Sequence, residues 1–257
     1  MTEIKKQEII NTIICSIRGK FEKYSPETTS MPFHTRLLGK DRMALFSFLQ
    51  SLNTTFGTTI YEPVALALAS EHFIIKERQK APNNIICDEA HRCIQQIMDE
   101  LITGTTLSNK ELEIEKLRKV CQKGKPHTVK LTKIDVCLKS ADTVYMFDVK
   151  TGKPNIGGFK EFKRTLLEWV ASELYVNPQA NIVTGVAIPY NPYEPKPYER
   201  WTMQGMFDLP KEVLVADEWW NFLADDIIFA DLLGCFEKAG IELREEIDNY
   251  FMRFVQR

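Results

Sequence analysis

Two aspartates and a lysine in the stretch VKLTKIDVCLKSADTVYMFDVK, residues 129–150, have the types and spacing for metal-assisted chemistry on phosphate. Side chains alternate along a strand, so Ile134, Val136 and Leu138 share one face while Lys133, Asp135 and Cys137 share the other. The second half alternates too, with Val144, Met146, Asp148 and Lys150 opposite Thr143, Tyr145, Phe147 and Val149. Apolar residues on both faces predict a central strand with charge at its end. A two-residue turn at Ala141 and Asp142 then sets Asp135 directly across from Asp148, with Cβ atoms ~4.5–5.5 Å apart. Two carboxylates at that distance repel unless something positive lies between them, and Lys150 alone cannot neutralise both. Hard oxygens with few protein ligands and room for water and phosphate are what Mg²⁺ prefers. A longer turn would shift the pairing by about one residue and keep the cluster.

The arrangement Asp-x12-Asp-x-Lys across a hairpin resembles the PD-(D/E)xK nuclease signature, with Asp135 as first acid, Asp148 as second and Lys150 as the lysine. Ile134 stands where that pattern often has proline. Taken alone, acid-x-Lys at a strand end is also what a solvated ion pair looks like, so the surrounding elements have to carry the rest.

Those elements read in chain order as follows. A helix from Glu3 to Tyr24 carries the stripe Ile10, Ile13, Ile14, Ile17 and Phe21; a Ser/Thr/Pro loop covers 25–33, and a second helix runs from Lys40 to Leu52. A loop with Gly57 leads into an apolar helix from Tyr61, where Glu62 stands in the first turn beside Pro63. Residues 84–102 read as a helix with Ile86, Ala90, Cys93, Ile94, Ile97 and Leu101 inward. Its Asp88-Glu89-Ala90-His91 spells a helicase box, but the chain has no GxxxxGK[ST] loop to hold nucleotide phosphates. A charged helix spans Ser108 to Cys121. After Lys150, the segment GFKEFKRTLLEWVASELYV reads as a helix with Lys153, Lys160, Lys163 and Arg164 at its start and outer face, next to Asn155. Such a basic helix start is a reasonable phosphate site. A buried strand over Asn181–Tyr190 leads into NPYEPKPYERW, a rigid loop presenting Asn191, Tyr193, Lys196 and Arg200, and helices over 218–236 and 242–254 close the chain.

Composition bounds the function. The 257 residues can bury ~70–75% of the surface of the unfolded chain, and 44% hydrophobic with 26% charged residues is ordinary for a globular protein. A net charge of −2 means that affinity for nucleic acid must come from local basic patches. Six cysteines without a CxxC pair suit reduced core residues in a cytoplasmic protein. The charged first residues and the lack of any long apolar run predict neither a signal peptide nor a membrane span.

Longer segments sharpen the resemblance. LNTTFGTTIYEPVALALA, FDVKTGKPN, GFKEFKRTLLEWVASEL, GVAIPYNPYEPKPYERWTMQGMFD and EWWNFL, in that order between about Leu52 and Phe236, resemble the TdeIII/MjaII group of type II restriction endonucleases. The resemblance implies an α/β fold of the restriction-endonuclease-like, PD-(D/E)xK kind: a central mixed β-sheet flanked by helices, with helical N- and C-terminal additions. It implies one catalytic domain with a helical part over 1–52, a nuclease core over 53–200 and a helical part over 201–257. It also implies Mg²⁺-dependent double-strand cleavage of DNA at a short palindrome of the GGNCC kind by a homodimer, with a methyltransferase protecting the host. In such folds a glutamate from a helix packed on the sheet often completes the metal cluster. Glu62 is the candidate, the other reading being a carboxylate favoured by the helix dipole. For G-rich half-sites Arg200 is the first candidate to contact guanine, with Asn191, Tyr193 and Lys196 nearby. Two other readings are a nuclease of the same fold without a fixed target, and a DNA-binding protein that has lost activity.

Overall fold

The computed structural model describes residues 1–25, 31–150, 152, 158–198, 203 and 205–255; Lys153, Asn155 and Arg200 lie outside them. The chain forms two compact units, Met1–Leu68 with Ile228–Arg257, and Ala69–Ile227. The sequence expectation placed the nuclease core at 53–200.

The first unit is built from helices. In α1 (Glu3–Lys23) the Thr2 hydroxyl accepts from the Lys5 amide, Glu3 lies at the positive end of the dipole and Lys20 and Lys23 at the negative end, and Ile9, Ile10, Ile13 and Ile14 are buried. The chain continues through α2 (Pro32–Leu38), α3 (Lys40–Phe56), a π-turn over Gly57–Tyr61 and α4 (Glu62–Leu68).

The second unit is organised by a five-stranded sheet. Its elements are β1 (Ile75–Lys80), β2 (Ile85–Cys87), α5 (Asp88–Ile102), α6 (Lys110–Arg118), β3 (Pro126–Thr128), β4 (Ile134–Lys139), β5 (Thr143–Val149), α7 (Phe159–Val176), β6 (Asn181–Ile188), α8 (Leu209–Glu212), β7 (Val213–Val215) and α9 (Asp217–Ala224). The strand order is β1-β4-β5-β6-β7, and β2 pairs with β3 in a separate ribbon. β1, β4 and β5 run antiparallel, whereas β5, β6 and β7 run parallel, so the sheet is mixed as expected. β5 lies in its centre, as its two apolar faces require. On one face Phe147 meets Trp219 and Phe222 of α9, with ring centroids 4.8 and 5.5 Å away. α7 covers β5 and β6 and is itself packed by α5 and α6.

α10 (Phe229–Glu242) and α11 (Arg244–Val255) return to the first unit. There α1 packs on α10, α3 on α11, and Phe21, Phe48, Tyr250 and Phe251 form one aromatic cluster. The C-terminal stripes therefore build core inside this unit.

Several boundaries moved. Residues 85–87 are strand and not the first turn of the helix, because the β-branched pair Ile85-Ile86 finds Thr128 and His127 across the ribbon. Asp88 takes His127 Nε2 at 2.6 Å and the Lys125 amide at 3.2 Å, so the helicase-like tetrad anchors the ribbon of β2 and β3. The helix expected over 218–236 breaks after Ala224, where Asp225 adopts a left-handed φ of 53°. β1 and β7 were not anticipated; IKERQK is an edge strand with no buried residue, and β7 has three residues. All six cysteines are free, and Cys87, Cys121, Cys137 and Cys235 are buried. Among the described residues no helix is long and apolar enough to cross a membrane.

Gly185 is where β6 touches α8: a Cβ there would lie 2.8 Å from the Glu212 carbonyl oxygen. Backbone cannot step aside as a side chain can, so Gly185→Ala is expected to cost ~1–3 kcal/mol by overpacking. An unchanged midpoint in urea denaturation would show that the contact is not tight.

Candidate active site

The hairpin closes as its alternation dictates. Ser140 donates its amide to the Thr143 carbonyl at 3.0 Å, leaving Ala141 and Asp142 as the turn. β4 and β5 pair Lys139 with Val144 through Val136 with Phe147. The paired register ends at Val136 and Phe147, and Asp135 and Asp148 are the next residues beyond it on the two strands. β5 continues past its last residue, for Lys150 donates its amide to the Ala187 carbonyl of β6 at 2.8 Å.

Each carboxylate meets its own compensation. Asp148 is 4% exposed, and its Oδ1 accepts from Lys150 Nζ at 2.7 Å. The ammonium also lies 4.6 Å from the centroid of the Phe162 ring of α7, a cation–π contact that holds it over the strand end. Asp135 accepts from two N–H groups among its contacts: Val149 donates its amide to Oδ2 at 2.8 Å, and Gln79 Nε2 donates to Oδ1 at 2.9 Å. The sequence reading foresaw neither of these donors.

Gln79 was missed by sequence reasoning. It lies on β1, which pairs Arg78 with Val136 and Lys80 with Ile134 and skips the step between, where Gln79 faces Asp135. Its φ of 51° is left-handed, a backbone state that costs a non-glycine residue ~1–3 kcal/mol. No sequence signal marks this position, since IKERQK offers four charged neighbours and no pattern that singles out the glutamine.

The donor set fits a hard divalent cation. Two carboxylates supply oxygen ligands, and among the described residues no group of three or more His, Cys, Asp or Glu side chains is placed to hold a metal ion. A site with two protein carboxylates that leaves room for water and phosphate is the way Mg²⁺ is usually held. Cys137, next but one to Asp135, is no nucleophile; burial pushes its thiol up to about 11, with Lys80 opposing. Glu62 opens α4 in the other compact unit, buried at 1% exposure.

The basic residues expected around the site divide. Lys160 is exposed on the first turn of α7, and Arg164 donates to Gln95 Oε1 of α5 at 2.8 Å. Lys163 is a correction: expected on the phosphate-facing side, it is fully buried, its Nζ 2.6 Å from both Glu113 and Glu212 and 3.0 Å from the Ser108 hydroxyl. It stands four residues after Phe159 and three before Leu166, so the helical period itself turns it inward. Glu212 also accepts from Lys110 Nζ at 2.9 Å, closing a buried network of two lysines and two glutamates.

The loop after β6 is built by its own polar groups. Asn191 donates Nδ2 to the Lys196 carbonyl at 2.7 Å and accepts the Tyr193 amide at 3.0 Å, so both ends of its amide hold the loop. Tyr193 and Tyr198 pack edge to face at 5.7 Å, and Lys196 is exposed. Tyr190, at the loop's start, lies against Gly152, where a Cβ would come 2.6 Å from its ring. The loop thereby touches the backbone two residues beyond Lys150.

The chain is similar to several known proteins. Type II restriction enzyme MjaII of Methanocaldococcus jannaschii is 26% identical over 238 residues, covering 82% of this chain and 63% of that protein, so the chain spans less than two thirds of its length. Type II restriction enzymes HgiCII and HgiEI of Herpetosiphon aurantiacus are 24% and 23% identical, covering 84% of this chain and 80% and 79% of theirs. The family described as type II restriction endonuclease, HinfI, matches residues 1–240. With the match extending over nearly the whole chain and a mixed five-stranded sheet flanked by helices, the protein belongs to the HinfI family of type II restriction endonucleases.

Proposed function

We propose that the protein makes Mg²⁺-dependent double-strand cuts in DNA at a short palindromic site of the GGNCC kind. The observation that carries this is the Lys150 ammonium on Asp148 at 2.7 Å, with Asp135 following the last paired residue of the neighbouring strand at the same end of the central hairpin. Asp135 and Asp148 would hold the cation, which when bound neutralises the scissile phosphate and lowers the pKa of a bound water. The chain's own groups do the rest. Lys150 orients the attacking water, helps to remove its proton and stabilises charge developing on phosphorus. Phe162 keeps the lysine over the strand end. The resemblance also gives Glu62 an assisting role.

Lys160, Arg164 and Lys196 are the described basic residues proposed to meet the phosphate backbone. Lys153, Asn155 and Arg200 join them from the sequence, Arg200 as the guanine reader, with Tyr193 in the same loop. A palindrome is most simply read by a two-fold dimer, each subunit making one cut. The enzyme would act in the cytoplasm, beside a methyltransferase that protects the host's own sites.

Incubating the purified protein with unmethylated phage DNA and Mg²⁺, beside Lys150→Ala and a chelator control, tests this. Discrete bands lost in both controls are expected, and their mapped ends name the target. A smear dependent on Lys150 would instead indicate a nuclease without a fixed site, and retarded but uncut DNA a binding protein.

A further inference from the structure

We propose that Gln79 is a positioning residue of the cutting site, holding the Asp135 carboxylate in its working orientation at the expense of backbone strain. The inference rests on the nuclease reading of Asp135, and three observations support it.

The first is the hydrogen bond itself, Gln79 Nε2 to Asp135 Oδ1 at 2.9 Å between residues far apart in sequence. A carboxylate only accepts, so the NH₂ end of the amide must be the one turned toward it. The second is the backbone: φ is 51° inside a strand whose neighbours on both sides keep their pairing with β4. Residues 78 and 80 hold the register, so the left-handed step is confined to the one residue opposite the acid. The third is the chemistry of the position. Each oxygen of Asp135 accepts from one of these N–H groups, Oδ2 from Val149 and Oδ1 from Gln79. A neutral donor fits this place. A lysine there would compete with a cation for the carboxylate, and a glutamate would add a third negative charge. Two fixed donors also stop the carboxylate rotating about its χ2, which keeps its remaining lone pairs aimed. Groups that orient a ligand in this way typically affect metal affinity or activity by ~10–100-fold.

The strain makes the inference testable, because it sets stability and activity against each other. Glycine adopts a positive φ without cost, so Gln79→Gly should melt at the wild-type temperature or above. Its turnover number should nevertheless fall ~10–100-fold, with KM and the retardation of DNA in metal-free gels unchanged. The Mg²⁺-induced rise in Tm, measured without DNA, should shrink, and the Mg²⁺ concentration for half-maximal cutting should rise. Gln79→Glu should cut more slowly than Gln79→Gly.

A Gln79→Gly protein that cuts at the wild-type rate overturns the inference and leaves the nuclease reading intact. So does one whose activity falls only in proportion to a lowered Tm, since that is what a purely structural role predicts. If wild-type protein itself does not cut, the nuclease reading fails and takes this inference with it.

Discussion

Asp148→Asn is expected to lower cleavage by ~10³-fold or more while leaving a folded protein that still binds DNA; that loss corresponds to ~4 kcal/mol of transition-state stabilisation. The substitution is nearly isosteric, and the side chain is only 6% exposed, so there is little room for another group to take its place. What disappears is charge: the site keeps Asp135 and loses half of the oxygen set that holds a divalent cation. Lys150 loses its partner as well, but its side chain is 27% exposed and reaches water, so the fold has little reason to suffer. Removing one of two neighbouring carboxylates should, if anything, raise the melting temperature in the absence of metal. Two measurements check this, single-turnover cleavage and the Mg²⁺-dependent rise in Tm that binding to the native state produces. Cutting within ~10-fold of wild type by Asp148→Asn would remove Asp148 from the site.

The largest effect on stability is expected at Glu212, which has no contact with the acid pair. Glu212 is fully buried and takes Lys163 at 2.6 Å and Lys110 at 2.9 Å, while Glu113 serves Lys163. Taking away one partner of a buried ion pair strands a charge and typically costs ~3–5 kcal/mol. Glu212→Gln strands Lys110 and leaves Lys163 with Glu113 alone, and should reach the upper end of that range, lowering Tm by ~2–4 °C per kcal/mol. Glu113→Gln should cost less, because Lys163 keeps Glu212. Equal losses in thermal or urea unfolding would refute this ordering.

The network also sets an acid limit. Burial alone would raise the Glu212 carboxyl, but Lys110 and Lys163 outweigh it and hold the group below its ordinary value of 4.5. A depressed folded pKa means stability that is present above the unfolded value and lost as pH falls through the folded one. Wild-type Tm should therefore drop on acidification below about 4.5, whereas Glu212→Gln should lack that component of the drop. Burial pulls the Lys110 ammonium down, with Glu212 opposing. The carboxylate is thus the member of the pair whose charge the surroundings support.

What the sequence determined by itself was local in origin. The hairpin, its two-residue turn and the pairing from Lys139 with Val144 to Val136 with Phe147 follow from a period of two around a short turn, where a slip of one residue would turn every apolar side chain to the wrong face. The helix over Phe159–Val176 was legible for the same reason: its stripe of Phe159, Leu166, Val170 and Leu174 repeats with the helical period over five turns. That period also placed Lys163 inside, but a lysine is rarely buried without a partner, and its partners lie 50 and 49 residues away in sequence.

Only the tertiary structure decided which distant groups complete the site. Gln79 is 56 residues from Asp135, on an edge strand of charged residues that has no amphipathic pattern of its own. It comes to lie opposite the acid only because β1 adds to β4 in one register. Periodicity is a property of one segment and can be read from that segment. A hydrogen bond between segments depends on how both are laid against a third, and the energy that selects it, burial and pairing along the whole ladder, is summed over residues that are not neighbours in the chain.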